Sequence, residues 1–263
     1  PWAQPISLSV LAPSLLVSQT PPQQSHFCLL SCRRRSTRED STTQFDLSLT
    51  VKRKASEISP DLKGTCLFLV GINSSIKSNS AKLLADALRY YYFDSDSVVE
   101  EALGGKDAVR SLMKTDLKGF RDSETEVLKQ LSSMGRLVVC AGNGAVQRAA
   151  NLALMRHGIS IWIDVPLDMV AKQIVEENFQ IPAAETINGS YPEVLTQLNA
   201  IYEDSRNGYA TADTTIALQK VASRLGYDTL EAVTTEDMVL ETLKEIERLM
   251  RSKKLMEEAA RPF

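Results

Sequence analysis

Cysteine and histidine are scarce in this chain. Four cysteines (Cys28, Cys32, Cys66, Cys140) and two histidines (His26, His157) are spread along 263 residues. No pair stands in C-x-x-C spacing and neither histidine falls near a plausible ligand set, which excludes a zinc site and a disulfide framework and points to free thiols in a reducing compartment. Long apolar runs are also missing, so no segment reads as a membrane span. No internal repeat is visible. Positive charge is in deficit where a polyanion binder would need it: residues 1–54 hold seven basic groups against three acids, and the remaining body has 23 basic groups against 30 acidic ones. An acidic body repels a phosphate backbone, so nucleic acid is excluded as a partner.

Acids are absent from the N-terminus until Glu39. Before it lie serines, threonines, prolines, glutamines and the cluster Arg33, Arg34 and Arg35, with neither a helical nor a strand period. Such a composition is that of an organelle transit peptide, with a disordered tail as the alternative. No basic residue precedes the apolar stretch 6–17, which argues against a secretory signal. The expected division is a leader over 1–50 and one folded domain over 51–263.

From Cys66 the pattern changes to alternating short strands and longer helices. Cys66-Leu-Phe-Leu-Val70 is an apolar run ending at Gly71, as a buried parallel strand would. The spacing predicts helices over 77–90, 121–134, 167–176 and 192–207, with another between Gly144 and Ile159. Strands are expected over 91–93, 137–140, 159–164 and 214–218. Over 235–256, Val239, Leu243, Ile246 and Met250 recur at helical spacing, and Thr234 with Asp237 can cap the start. That last helix reads as core-packing, with a partner surface as the alternative. Helices between short strands imply an α/β domain whose parallel sheet is covered on both faces.

In such sheets ligands bind beyond the carboxyl ends of the strands. Four strand ends carry unusual residues. Gly71-Ile-Asn-Ser-Ser-Ile-Lys-Ser78 offers Gly71, Lys77 and Ser78 in the frame of a phosphate loop, where a lysine meets the β/γ-phosphates and a hydroxyl meets Mg²⁺. Lys77 and Ser78 opening an ordinary helix is the plainer alternative. Asp94 and Asp96 follow the next strand; two carboxylates at that spacing can place Mg²⁺ or accept a hydroxyl proton, or Asp96 can simply cap a helix. Arg121 and Glu124 are helical neighbours that can clamp a substrate carboxylate or form a solvated surface pair. Ala141-Gly-Asn-Gly-Ala-Val146 closes the series.

In order and spacing these motifs resemble the shikimate kinase family, which reads G-x-x-G-x-G-K-[ST], D-x-D, F-R-x-x-E and then a triple-glycine strand end followed by Ala-Val. Val51-Lys-Arg-Lys-Ala55, Gly158-Ile-Ser-Ile-Trp-Ile-Asp-Val-Pro166 and Leu225-Gly-Tyr227 are similar to plant members, so the resemblance covers about 51–250. It implies a P-loop, nucleoside-monophosphate-kinase-like, three-layer α/β/α fold. It also implies an ATP loop at Gly71, Lys77 and Ser78, magnesium at Ser78 and Asp94, and a substrate site at Asp96, Arg121, Glu124, Gly142 and Gly144.

Five positions depart from the pattern. Ser74 and Ile76 replace loop glycines, where a β-branched residue at positive φ would be strained. Asn143 replaces the middle glycine of the triplet, where asparagine tolerates a left-handed backbone. Ile181 stands where the family's flexible lid has an arginine, and Ser205 where it has a second carboxylate-binding arginine. Arg206 is one helical step, about 100°, out of place. Through the resemblance, the eroded site implies a non-catalytic homologue of the plastid stroma, similar to plant shikimate kinase-like proteins of which one branch is needed for chloroplast development. No cofactor is then required, weak MgATP binding stays open, and a protein partner in the plastid is implied. The alternatives are an active kinase phosphorylating shikimate or a related hydroxy acid, and a purely structural subunit. If the loop is strained, Ser74→Gly with Ile76→Gly is expected to restore ATP affinity.

Overall fold

In the computed structural model the described residues are 38–176, 187 and 189–259. The chain divides into two compact units, Pro1–Thr43 and Gln44–Phe263. The first lies almost wholly outside the described residues; the second holds the sheet.

Five strands form that sheet: β1 (Leu67–Val70), β2 (Tyr91–Asp94), β3 (Leu137–Cys140), β4 (Ile159–Asp164) and β5 (Thr214–Ala217). Their order is β2-β3-β1-β4-β5, and every pairing is parallel. Leu67 pairs with Val138 on one side and Ile159 on the other, which makes β1 the central strand. All four residues of β1 and of β3 are buried. Side chains alternate across a strand, so burial of all of them means helices on both faces. At the edges the burial breaks, with Tyr91 and Thr215 exposed. The architecture is a three-layer α/β/α sandwich.

The covering helices are α1 (Arg38–Leu62), α2 (Ser75–Leu88), α3 (Ser95–Leu103), α4 (Lys106–Thr115), α5 (Leu117–Ser133), α6 (Ala149–Met155), α7 (Leu167–Glu176), α8 (Tyr191–Tyr209), α9 (Leu218–Leu225) and α10 (Thr235–Ala259). α10 packs on α2 and buries Met238, Val239, Leu243 and Ile246. Its start is a capping box: the Thr234 N–H donates to Asp237 Oδ2 (3.0 Å) and the Asp237 N–H to Thr234 Oγ1 (3.1 Å).

Four helices were not expected from the sequence. α1 crosses the anticipated boundary at residue 50 and buries Val51, Ala55, Ile58 and Leu62, a stripe at helical spacing. Its charged, Pro60-containing sequence hid that stripe. α3 and α4 are short and separated by Gly104 and Gly105, both at positive φ (92° and 108°). α9 has only eight residues, too few for periodicity to declare itself.

Candidate functional site

The strand order reverses around β1, whose neighbours β3 and β4 lie on opposite sides. The crevice beyond the carboxyl end of β1 is therefore where a ligand belongs. Gly71 leaves β1 with φ 130°, and a Cβ there would collide with the Ile163 carbonyl, so only glycine fits.

The strain expected at Ser74 and Ile76 does not arise. Ser74 is extended (φ −151°, ψ 157°) and caps α2, and Ile76 already lies in the first helical turn. Neither is among the residues at positive φ. By starting the helix at Ser75, the chain avoids the left-handed backbone that the family's glycines serve.

That early helix changes what the loop can offer. The Asn73 N–H donates to Asn143 Oδ1 (2.9 Å), Ser75 N–H to Gln173 Oε1 (3.3 Å), Lys77 N–H to Ser74 Oγ (3.3 Å) and Ser78 N–H to the Ser74 carbonyl (3.1 Å). These are amides that a phosphate cradle would keep free. Lys77 is completely buried. Its Nζ donates to the Gly71 carbonyl (2.8 Å), Asn73 Oδ1 (2.7 Å) and the Ala141 carbonyl (2.7 Å). An ammonium has three protons, so each has an acceptor inside the protein. The Ser78 hydroxyl stands 4.0 Å from Cys140 Sγ.

Asp94 ends β2 and caps α3: its Oδ1 accepts from the Asp96 N–H (3.0 Å) and the Ser97 N–H (3.1 Å). The cap is thus Asp94, not Asp96, because the helix begins directly after the strand. Asp96 Oδ2 accepts from Asn73 Nδ2 (3.2 Å). Ser95 Oγ accepts from the Gly142 N–H (3.0 Å), tying α3 to the end of β3. A Cβ at Gly142 would collide with the Asp96 carboxyl, and one at Gly144 would displace the Arg121 guanidinium from its present place. Asn143 between them is not at positive φ; it opens a single turn of 3-10 helix, Asn143–Val146.

Arg121 Nη1 donates to Glu124 Oε2 (2.7 Å) and Nη2 to Gln147 Oε1 (2.9 Å). Burial pushes the Glu124 carboxyl above its ordinary range, opposed by the Arg121 guanidinium. Gln147 Nε2 donates to Ser205 Oγ, and that hydroxyl to the Asn143 carbonyl, both at 3.4 Å. Ser205 is fully buried, whereas exposed Arg206 faces Glu203 at 3.9 Å. Asp96, Arg121, Glu124, Asn143 and Gly144 line one cavity of about 400 Å³. Ile181 lies outside the described residues.

The structure thus gathers Lys77, Asp96, Arg121, Glu124, Gly142, Asn143 and Gly144 at the strand ends, with Asn73, Gln147, Gln173 and Tyr209 as members that motif reading did not assign. The Tyr209 hydroxyl lies 3.4 Å from Asn143 Oδ1. Four loop amides (Asn73, Ser75, Lys77 and Ser78), the Lys77 ammonium and Asp94 Oδ1 thus serve internal partners where a nucleotide and its Mg²⁺ would need them. Among the described residues no group of three or more His, Cys, Asp or Glu side chains could hold a metal ion.

Comparison with known proteins follows the same lines. The family model described as shikimate kinase matches residues 73–246. The chain is 61% identical over 213 residues to an Arabidopsis thaliana protein named probable inactive shikimate kinase like 1, chloroplastic, covering 81% of this chain and 73% of that one. It is 36% identical over 226 residues to shikimate kinase 2, chloroplastic, of Oryza sativa subsp. japonica, covering 85% and 73%. A shikimate kinase from Acinetobacter baumannii, solved with shikimate, superposes with a TM-score of 0.56 at 22% identity, over 76% of this chain and 99% of that one.

Proposed function

For a chain that belongs to the shikimate kinase family, we propose a role without phosphoryl transfer, as a plastid protein that keeps the kinase scaffold and uses it for binding. The observation that carries this is Lys77. In a working loop its ammonium meets the transferring phosphate. Here it donates to two backbone carbonyls and the Asn73 amide. Each charge-assisted bond exchanged for another costs about 1.5–3 kcal/mol before the new one forms. Release of the Asn73 amide from Asn143 adds to that. The plastid location and the leader over 1–50 rest on the composition of the N-terminus and on the printed names of the relatives.

The acceptor half of the site favours a second reading. Arg121, Asp96 and Glu124 still face one cavity, as a kinase acting on a small hydroxy acid would need. Nucleotide binding separates the two. Calorimetric titration of the full chain with MgATP is expected to give no saturable binding below about 1 mM, equivalent to about −4 kcal/mol. A micromolar Kd would overturn the proposed role in favour of the kinase.

A further inference from the structure

A second cavity, of about 540 Å³, lies at the opposite end of the sheet from the site just described. Its lining includes Lys63, Gly64, Arg89, Tyr90 and Arg136. Lys63 and Gly64 precede β1, Arg89 and Tyr90 precede β2, and Arg136 precedes β3. These strands are neighbours in the order β2-β3-β1, so three consecutive sheet positions are each fed by a basic residue. The turns are bonded to one another: the Arg136 N–H donates to the Gly64 carbonyl (2.8 Å) and the Tyr91 N–H to the Arg136 carbonyl (3.0 Å).

The backbone at these cations is unusual. Lys63 (φ 49°), Arg89 (φ 57°) and Arg136 (φ 61°) are the three non-glycine residues at positive φ among the described residues. Lys63 directly follows α1, and Arg89 is the left-handed cap of α2, its N–H bonded to the Ala85 and Asp86 carbonyls; glycine or asparagine is the commoner choice at such a helix end. All three such positions carry a cation and line one cavity. No acid lines it, and none of the three makes an ion pair within the described residues. Tyr90 lines it too, with its buried hydroxyl beside the Gly64 backbone. A charged lining without counter-charge is an arrangement that an anion completes.

We propose that this cavity is a binding site for a small polyanion bearing two or more phosphate groups, held by Lys63, Arg89 and Arg136. Two guanidinium forks and an ammonium suit phosphate oxygens, and the volume is that of a metabolite site. Part of the remaining wall comes from α1 through Ser56, Ser59 and Pro60, which precede the residues 73–246 matched by the family model. The site is therefore separate from the eroded kinase centre and does not rest on that centre being inactive.

The test is titration of the full chain with inorganic pyrophosphate and tripolyphosphate at low salt, mapped by amide chemical shifts. Saturable binding is expected, with shifts at Gly64, Tyr90 and Arg136 and not at Asn73 or Ser75. Lys63→Gly, Arg89→Gly and Arg136→Gly combined should weaken it at least tenfold. Glycine accepts the left-handed backbone, so that variant should hold its Tm; Arg89→Asn with Arg136→Asn gives a second route should it not. Removing equal charge from the exposed end of α10, by Arg251→Ala, Lys253→Ala and Lys254→Ala, should leave affinity within twofold. No saturable binding, equal loss in both triple variants, shifts confined to 73–78, or a preference for citrate over pyrophosphate would each overturn the proposal.

Discussion

A primary amide carries a donor and an acceptor on one short arm, and two of them do much to define this site. Asn143 Oδ1 accepts from the Asn73 N–H, while the Asn73 side chain accepts from Lys77 at its oxygen and donates to Asp96 from its nitrogen. The loop is thereby tied to the ends of β2 and β3 by its own side chains. Asn143→Gly removes the acceptor and lets the Asn73 amide face the crevice. MgATP affinity is expected to rise about tenfold, close to 1.4 kcal/mol, read by calorimetry. Ser74→Gly with Ile76→Gly, by contrast, is expected to give no gain. Neither residue is strained, and a glycine inside the first turn of α2 should cost about 1 kcal/mol of stability.

Glu124 supplies a pH dependence at the same scale. Burial raises its carboxyl above the ordinary value of 4.5 despite Arg121. The folded state therefore binds more protons than the unfolded chain in the window above pH 4.5, and stability falls as pH rises through it. In Glu124→Gln that component is gone. Thermal melts at pH 4 and pH 6 should show a smaller loss of Tm for the variant across that interval. An equal loss in both proteins would contradict the assignment.

Among the elements, α10 shows how a cap sets a boundary. Asp237 Oδ2 accepts from the Thr234 N–H, the Thr234 hydroxyl (2.7 Å) and the Tyr227 hydroxyl (3.2 Å), and the residue is buried. Asp237→Ala strands those donors and is expected to cost about 1–3 kcal/mol, read as a lower urea midpoint at unchanged slope. A midpoint within error of the parent would mean the box contributes nothing. That cap was legible beforehand because Thr and Asp three residues apart precede an apolar period. The strands β1, β3 and β4 were legible for a similar reason: each is a short apolar run closed by glycine, alanine or a Val-Pro pair. α1 was not, since its four buried residues are diluted by charge. The site was legible as a set of motifs but not as a network. Lys77 and Ser78 announce a phosphate loop, yet nothing in their spacing says that Ser74 would cap a helix, or that Lys77 would bond its own loop. Those outcomes depend on Asn73 and Asn143 meeting across 70 residues of sequence.

At the scale of the whole molecule, one sheet presents two ends of different character. Its carboxyl ends gather the kinase motifs, with Lys77 bonded internally and Arg121 paired with Glu124. Its amino ends gather three cations that make no ion pair among the described residues, in a chain whose net charge is −3. The fold is that of a P-loop kinase of the shikimate kinase family, and no helix among the described residues is long and apolar enough to cross a membrane.

The most direct measurement is a coupled assay of ADP release with MgATP and shikimate, run on the full chain beside the rice relative that is 36% identical. No turnover above the uncatalysed background is expected from this chain under conditions where the rice protein turns over. Turnover within a few decades of the rice protein would contradict the non-catalytic reading, and would mean that Lys77 leaves its three acceptors when the nucleotide arrives.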